Sequence, residues 1–167
     1  MPPRIESGNQ VSLISYRVEG RALGVSSRAG APVSLVDVGA VASKLTIWRT
    51  GFRYDRNDVV GFGTGRLEAG PVYYGACVSF LTLNDHFLSS PDDQLPMVAD
   101  FKNSMPCDTE GFLLLDEHGH ESEKPVQYGD VVILRRMNGQ YLNCTPTSMP
   151  AFRSTTCSAD EKFRIWF

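Results

Sequence analysis

The side chains best suited to proton transfer or metal binding in this 167-residue chain are His86, His118 and His120. The run Glu117-His118-Gly119-His120-Glu121-Ser122-Glu123 concentrates potential metal ligands. It is also polar and turn-rich, and no further ligands at a recognised spacing accompany it. It reads as a solvated connector, and no metal site is expected. His86 follows Asp85 in a turn, where hydrogen bonding is the more natural task than base catalysis. A hydrolase needs a nucleophile, a base and an orienting group; no G-x-S-x-G segment is present, and no Cys or His stands in a recognised signature. Gly61-Phe62-Gly63-Thr64-Gly65 lacks the spacing and the following helix of a dinucleotide loop. Neither a catalytic centre nor a cofactor is expected, so the chain reads as a non-enzyme.

Cys77, Cys107, Cys144 and Cys157 include no C-x-x-C pair. Met1 to Ser7 has no apolar stretch behind Arg4, so no signal peptide is read there. Free thiols are then the expected state, two of them in β-like runs where cysteine behaves as a small buried hydrophobe. No run reaches the ~18 apolar residues of a membrane span, and membrane insertion is not expected. The resulting expectation is a cytoplasmic chain, or one exported by a non-classical route. Sixteen basic and 19 acidic side chains leave a net charge of -3, which argues against a nucleic-acid partner. Arg49, Arg53, Arg56 and Arg66 lie close together and read as a solvated loop.

The elements that must position these residues are short strands. Val11 to Ser15, Cys77 to Leu81 and Val131 to Leu134 are apolar runs bounded by turn residues. The 15 glycines and 10 prolines punctuate such runs. Val38 to Lys44 is the one helix-like stretch, long enough for a single turn. The order of signals repeats. Tyr128-Gly129, a strand, a turn at Asn138-Gly139 and Tyr141-Leu142 parallel Tyr74-Gly75, a strand, a turn at Asn84-Asp85 and Phe87-Leu88. In both, the leucine follows the tyrosine by 14 positions. The first copy is looser, with Val11 to Ser15, Ala22 to Val25, Pro32 to Val36 and Leu45-Thr46-Ile47-Trp48. The intervals from second-strand leucine to closing strand are 22, 24 and 21 residues. Three units result, at about 8–49, 71–116 and 124–167, with an insertion at 50–70 that holds Phe52, Tyr54 and Phe62.

A four-stranded unit cannot bury its apolar face alone, whereas three closing about an axis can, which also removes exposed edges. On the Asn-Gly-x-Tyr-Leu pattern at Asn138 to Leu142, its weaker copy at Asn84 to Leu88 and the aromatic closing strands, the chain resembles the β-trefoil superfamily. Its repeats look most like the fascin and fibroblast-growth-factor types. The resemblance covers nearly the whole chain and implies an all-β domain, a six-stranded barrel with a cap of three hairpins. Trp48, Trp166, Phe112, Phe163, Tyr141 and Phe87 take equivalent places in the repeats and are expected in the core.

The resemblance further implies a binding module, lectin-like in the first instance, with carbohydrate or a protein as partner. The Gln-x-Trp motif of ricin-type lectins is missing its glutamine. Asp85, His86, Asn138 and Gln140, with Asp100 nearby in the chain, are the polar candidates for a ligand site. Phe52, Tyr54 and Phe62 are the candidates for stacking on sugar. The alternatives are a fascin-like structural or protein-interaction role and, below it, a protease inhibitor of the Kunitz trefoil type. The ligand and the oligomeric state are not legible here.

Overall fold

The computed structural model describes residues 3–25, 32–54, 61–62, 65–83, 85–90, 97–99, 110–136 and 139–167. Its strands are β1 (Gln10–Ser15), β2 (Arg21–Gly24), β3 (Ser34–Asp37), β4 (Leu45–Thr50), β5 (Arg53–Tyr54), β6 (Gly61–Phe62), β7 (Leu67–Glu68) and β8 (Cys77–Thr82). They continue with β9 (Leu88–Ser89), β10 (Val98–Ala99), β11 (Phe112–Asp116), β12 (Val131–Arg135), β13 (Tyr141–Thr145), β14 (Ser148–Ser154) and β15 (Phe163–Trp166). The chain is all-β: among the described residues helix occurs only as 3-10 turns, Val41–Ser43 and Ala159–Glu161 among them. The first lies inside the stretch expected to turn once.

Six strands pair antiparallel into a closed ring, in the order β1, β4, β8, β11, β12, β15 and back to β1. Closure leaves these strands with no free edge. The three hairpins β2–β3, β9–β10 and β13–β14 lie between the paired members β1 and β4, β8 and β11, and β12 and β15. β5 pairs with β6 within 50–70, and β7 returns to pair with β4.

Alternation sorts the side chains of each strand. On β15, Phe163 and Ile165 are buried while Arg164 and Trp166 face out. On β11 and β12, Phe112, Leu114, Val132 and Leu134 join the central core, whose middle is a run of stacked rings from Phe80 through Phe112 to Phe152. Trp48 and Trp166 depart from the expected core placement. Both lie one residue past an inward isoleucine, so the two-residue period turns them outward; Trp48 is half-buried and Trp166 is 40% exposed.

The entries to β1, β8 and β12 are built alike. Ile5, Val72 and Val126, all fully buried, close a triangle of backbone bonds. Ile5 donates to Val126, Val126 to Val72, and Val72 to Ile5, each at 2.8 Å. A tight turn follows in each case, over Glu6 to Asn9, Tyr73 to Ala76 and Gln127 to Asp130. Its third residue is Gly8, Gly75 or Gly129, with φ of 95, 103 and 97°. That position of the turn demands positive φ, which glycine adopts without penalty. The glycine N–H then bonds the carbonyl of Ile47, Leu114 or Ile165 on the last strand of the same segment.

Candidate functional site

With the glycine turns fixed in this way, three equivalent junctions form, each between the end of one closing strand and the glycine turn of the next segment. At the first, Arg49 and Thr50 face Gly75, Ala76 and Cys77. Little space is left there, about 90 Å³, because the protein fills it with its own side chains. The Arg49 guanidinium lies 5.0 Å from the Tyr73 ring centre and donates to the carbonyls of Ala69 (3.2 Å) and Pro71 (3.3 Å). Its side chain is 17% exposed and pairs with Glu68 at 3.7 Å, so this arginine of the basic cluster is structural rather than solvated. Phe52 lines the same cavity.

The second junction is open. Asp116 and Glu117 at the end of β11 face Gly129, Asp130 and Val131 across a cleft of about 440 Å³, with Tyr74, Ser122 and Lys124 completing its walls. Such a volume suits a small ligand. The Tyr74 hydroxyl donates to Asp130 Oδ2 at 2.6 Å, and the Gln127 N–H donates to the same oxygen at 3.0 Å. The other carboxylate oxygen makes no hydrogen bond with the described residues. Lys124 is exposed at the rim, and Ser122 Oγ accepts from its N–H at 3.4 Å. Asp116 is engaged beneath the connector, accepting from the N–H groups of His118 and His120.

The third junction carries rings. Tyr128, which follows its segment's pattern as Tyr74 does, donates to the Gln10 carbonyl at 3.0 Å. Phe167 meets Tyr128 edge-on at 5.1 Å and stacks on Trp166 at 5.0 Å. Trp166 also covers Gly129: a β-carbon added there would stand 3.1 Å from its ring. Gly129 therefore links the polar cleft to an exposed aromatic surface.

Most of the residues expected from sequence to form a ligand site are elsewhere. Asp85 and His86 lie in the turn closed by the backbone pair Thr82 and His86, and Gln140 lies in the matching turn closed by Arg136 and Gln140. Asp85 takes a left-handed φ of 61°, and the His86 N–H donates to Thr82 Oγ1. These two turns shape hairpins, and neither borders the open cleft. Phe52 is only 8% exposed, packed beside Gly111, which hides the ring face that sugar stacking needs. Tyr54 and Phe62 belong to the short β5–β6 pair, but their side chains, with Asp100 and Asn138, lie outside the described residues. Cys77 and Cys144 are buried and Cys157 is half-buried, none of the three in a disulfide; Cys107 lies outside the described residues. Burial pushes the Cys144 thiol up to about 11. The sequence reading missed the cleft residues Tyr74, Ser122, Lys124 and Asp130. The repeated Tyr-Gly before β8 and β12, followed once by Asp130, was the available signal.

Burial first, and then the bond to Asp130, raise the Tyr74 hydroxyl well above the ordinary tyrosine range. The phenol stays a donor through neutral and mildly alkaline pH. An unfolded tyrosine ionises near pH ~10, so stability held below that pH is lost as pH rises beyond it. Tyr128, Tyr141 and Cys144 act in the same direction. We expect Tyr74→Phe to flatten part of the alkaline fall in urea midpoint between pH 9 and 11. An unchanged slope in this variant would show that Tyr74 is not held neutral.

No family model matches the chain, and no curated protein matches it in sequence. Solved structures do match in shape. A Caenorhabditis elegans protein of unknown function aligns at TM-score 0.70 and 11% identity, over 97% of this chain and 95% of its own. The SDF2-like protein from Arabidopsis thaliana aligns at TM-score 0.70 and 14% identity, over 98% and 94%. The S. cerevisiae protein O-mannosyltransferase Pmt1-Pmt2 complex bound to the sugar donor aligns at TM-score 0.72 and 12% identity. That match covers 99% of this chain but 25% of the transferase chain. Likeness at these identities concerns the fold, and it agrees with the all-β ring.

Proposed function

We propose that this chain is a non-catalytic β-trefoil binding module that recognises carbohydrate in the open junction cleft. The observation that carries the reading is the contrast among junctions. The first is packed with Arg49 and Phe52 and the third bears Phe167, whereas the second presents Asp130, Ser122 and Lys124 around about 440 Å³. A free carboxylate oxygen and a rim ammonium match the alternating donors and acceptors of neighbouring sugar hydroxyls. The exposed part of Trp166, next to Gly129 at the edge of the cleft, offers apolar surface against which a sugar's C–H groups pack. The shape match to a transferase complex bound to a sugar donor, and to an SDF2-like protein, is compatible with this role.

A glycan array with competition by free sugar tests the proposal, using the intact chain, Asp130→Asn and Trp166→Ala. Sugar-competable binding that falls at least tenfold in both variants is the expected result. A blank array with folded protein would sink it and favour the fascin-like reading, a docking surface for a protein.

A further inference from the structure

The outer face of the β11–β12 pair is apolar where a ring strand would ordinarily meet water. Leu113 stands opposite Arg135 and Leu115 opposite Ile133, so these four side chains share the outer face. Tyr141 stands opposite Arg135 on the other side, and Tyr141 and Cys157 pack on Leu113, Leu115 and Ile133 as a second, smaller core. Into this core reaches a guanidinium. Arg135 Nε is buried and has no hydrogen-bond partner, and Arg135 makes no ion pair with the described residues. A buried N–H left unsatisfied is costly, and more so on a charged group. Beside it opens a cleft of about 440 Å³, walled by Leu113, Leu115, Gly119, His120, Glu121 and Arg135. This cleft is separate from the proposed sugar cleft, whose walls come from other residues.

We propose that this cleft is a binding site for a small monocarboxylate with an apolar body. The carboxylate takes donors of the Arg135 guanidinium, whose planar fork matches two oxygens. The hydrocarbon lies against Leu113 and Leu115. Glu121, on the same wall, disfavours a more highly charged anion such as phosphate.

Titration of the intact, isotope-labelled protein with benzoate, benzyl alcohol and inorganic phosphate, followed by NMR, tests the assignment. Benzoate is expected to shift Leu113, Leu115 and Tyr141 saturably. Benzyl alcohol and phosphate are expected to bind at least tenfold more weakly. Arg135→Leu is expected to abolish benzoate binding while unfolding at the same or a higher temperature, because it removes a buried N–H that has no partner. Arg135→Lys keeps the charge, loses the fork and is expected to weaken binding at least fivefold. Benzoate shifts elsewhere or not at all, equal binding of benzyl alcohol or phosphate, or full affinity in Arg135→Leu would each overturn the proposal.

Discussion

Phe112→Ala is expected to lower the free energy of unfolding by about 4 kcal/mol, the middle of the range for emptying a buried phenylalanine site. Phe112 is fully buried, with its ring 6.5 Å from Phe80 and 5.1 Å from Phe152 in a nearly parallel stack. Phe80 lies on β8 and Phe152 on β14, so Phe112 bridges a ring strand and a hairpin from further along the chain. Truncation removes ring contacts on both sides and leaves a cavity that the closed ring of strands resists collapsing. Phe112→Leu retains most of the volume and is expected to cost less than half as much. Urea unfolding of both variants reads the difference. A loss below about 1 kcal/mol for the alanine variant would mean that the stack does not hold the core together.

Gly129→Ala is the second large effect. A side chain at φ of 97° is strained by about 1–3 kcal/mol wherever it occurs. The new β-carbon would also press on the Trp166 ring at 3.1 Å. Gly20 provides the comparison: its φ is 74°, yet a β-carbon there meets nothing within 4 Å. Gly20→Ala therefore reports backbone strain, and Gly129→Ala reports strain plus displacement of the tryptophan. We expect Gly129→Ala to be the more destabilising by about 1 kcal/mol and to raise the exposure of Trp166 to fluorescence quenchers. Equal losses with unchanged quenching would show that Trp166 does not rest on that turn.

Both results bear on the proposed function, because Gly129 joins the polar cleft to the exposed rings. If Gly129→Ala shifts Trp166 but leaves the backbone turn intact, sugar affinity should fall in step with quencher exposure. The Arg135 cleft has its own walls and should retain benzoate binding in this variant.

The strands were legible where alternation and turn chemistry coincide. Val11 to Ser15, Cys77 to Leu81 and Val131 to Leu134 read as strands and lie on β1, β8 and β12. Local sequence carries such information, since an apolar run bounded by turn residues has few other ways to bury itself. The same period also held the correction for the tryptophans. Ile47 and Ile165 face inward, and their neighbours Trp48 and Trp166 face the other way. Reading aromatic identity ahead of alternation put both in the core.

The site was much less legible. Asp85 and Gln140 were attractive as polar residues beside turns, but turns are where such residues also serve the backbone. Tyr74 and Asp130 are 56 residues apart, and no local pattern announces their hydrogen bond. Arg135 looks like an ordinary strand-end arginine until β11 and β13 flank it with Leu113 and Tyr141.

By itself the sequence determined the all-β character, the places of most strands and the glycines at which the chain must turn, because these depend on neighbours within a few residues. Only the tertiary structure decided which junction stays open, which rings reach the surface and which apolar face Arg135 meets. Those outcomes depend on pairing between distant strands, where one segment's side chains either fill or leave the space beside another's turn.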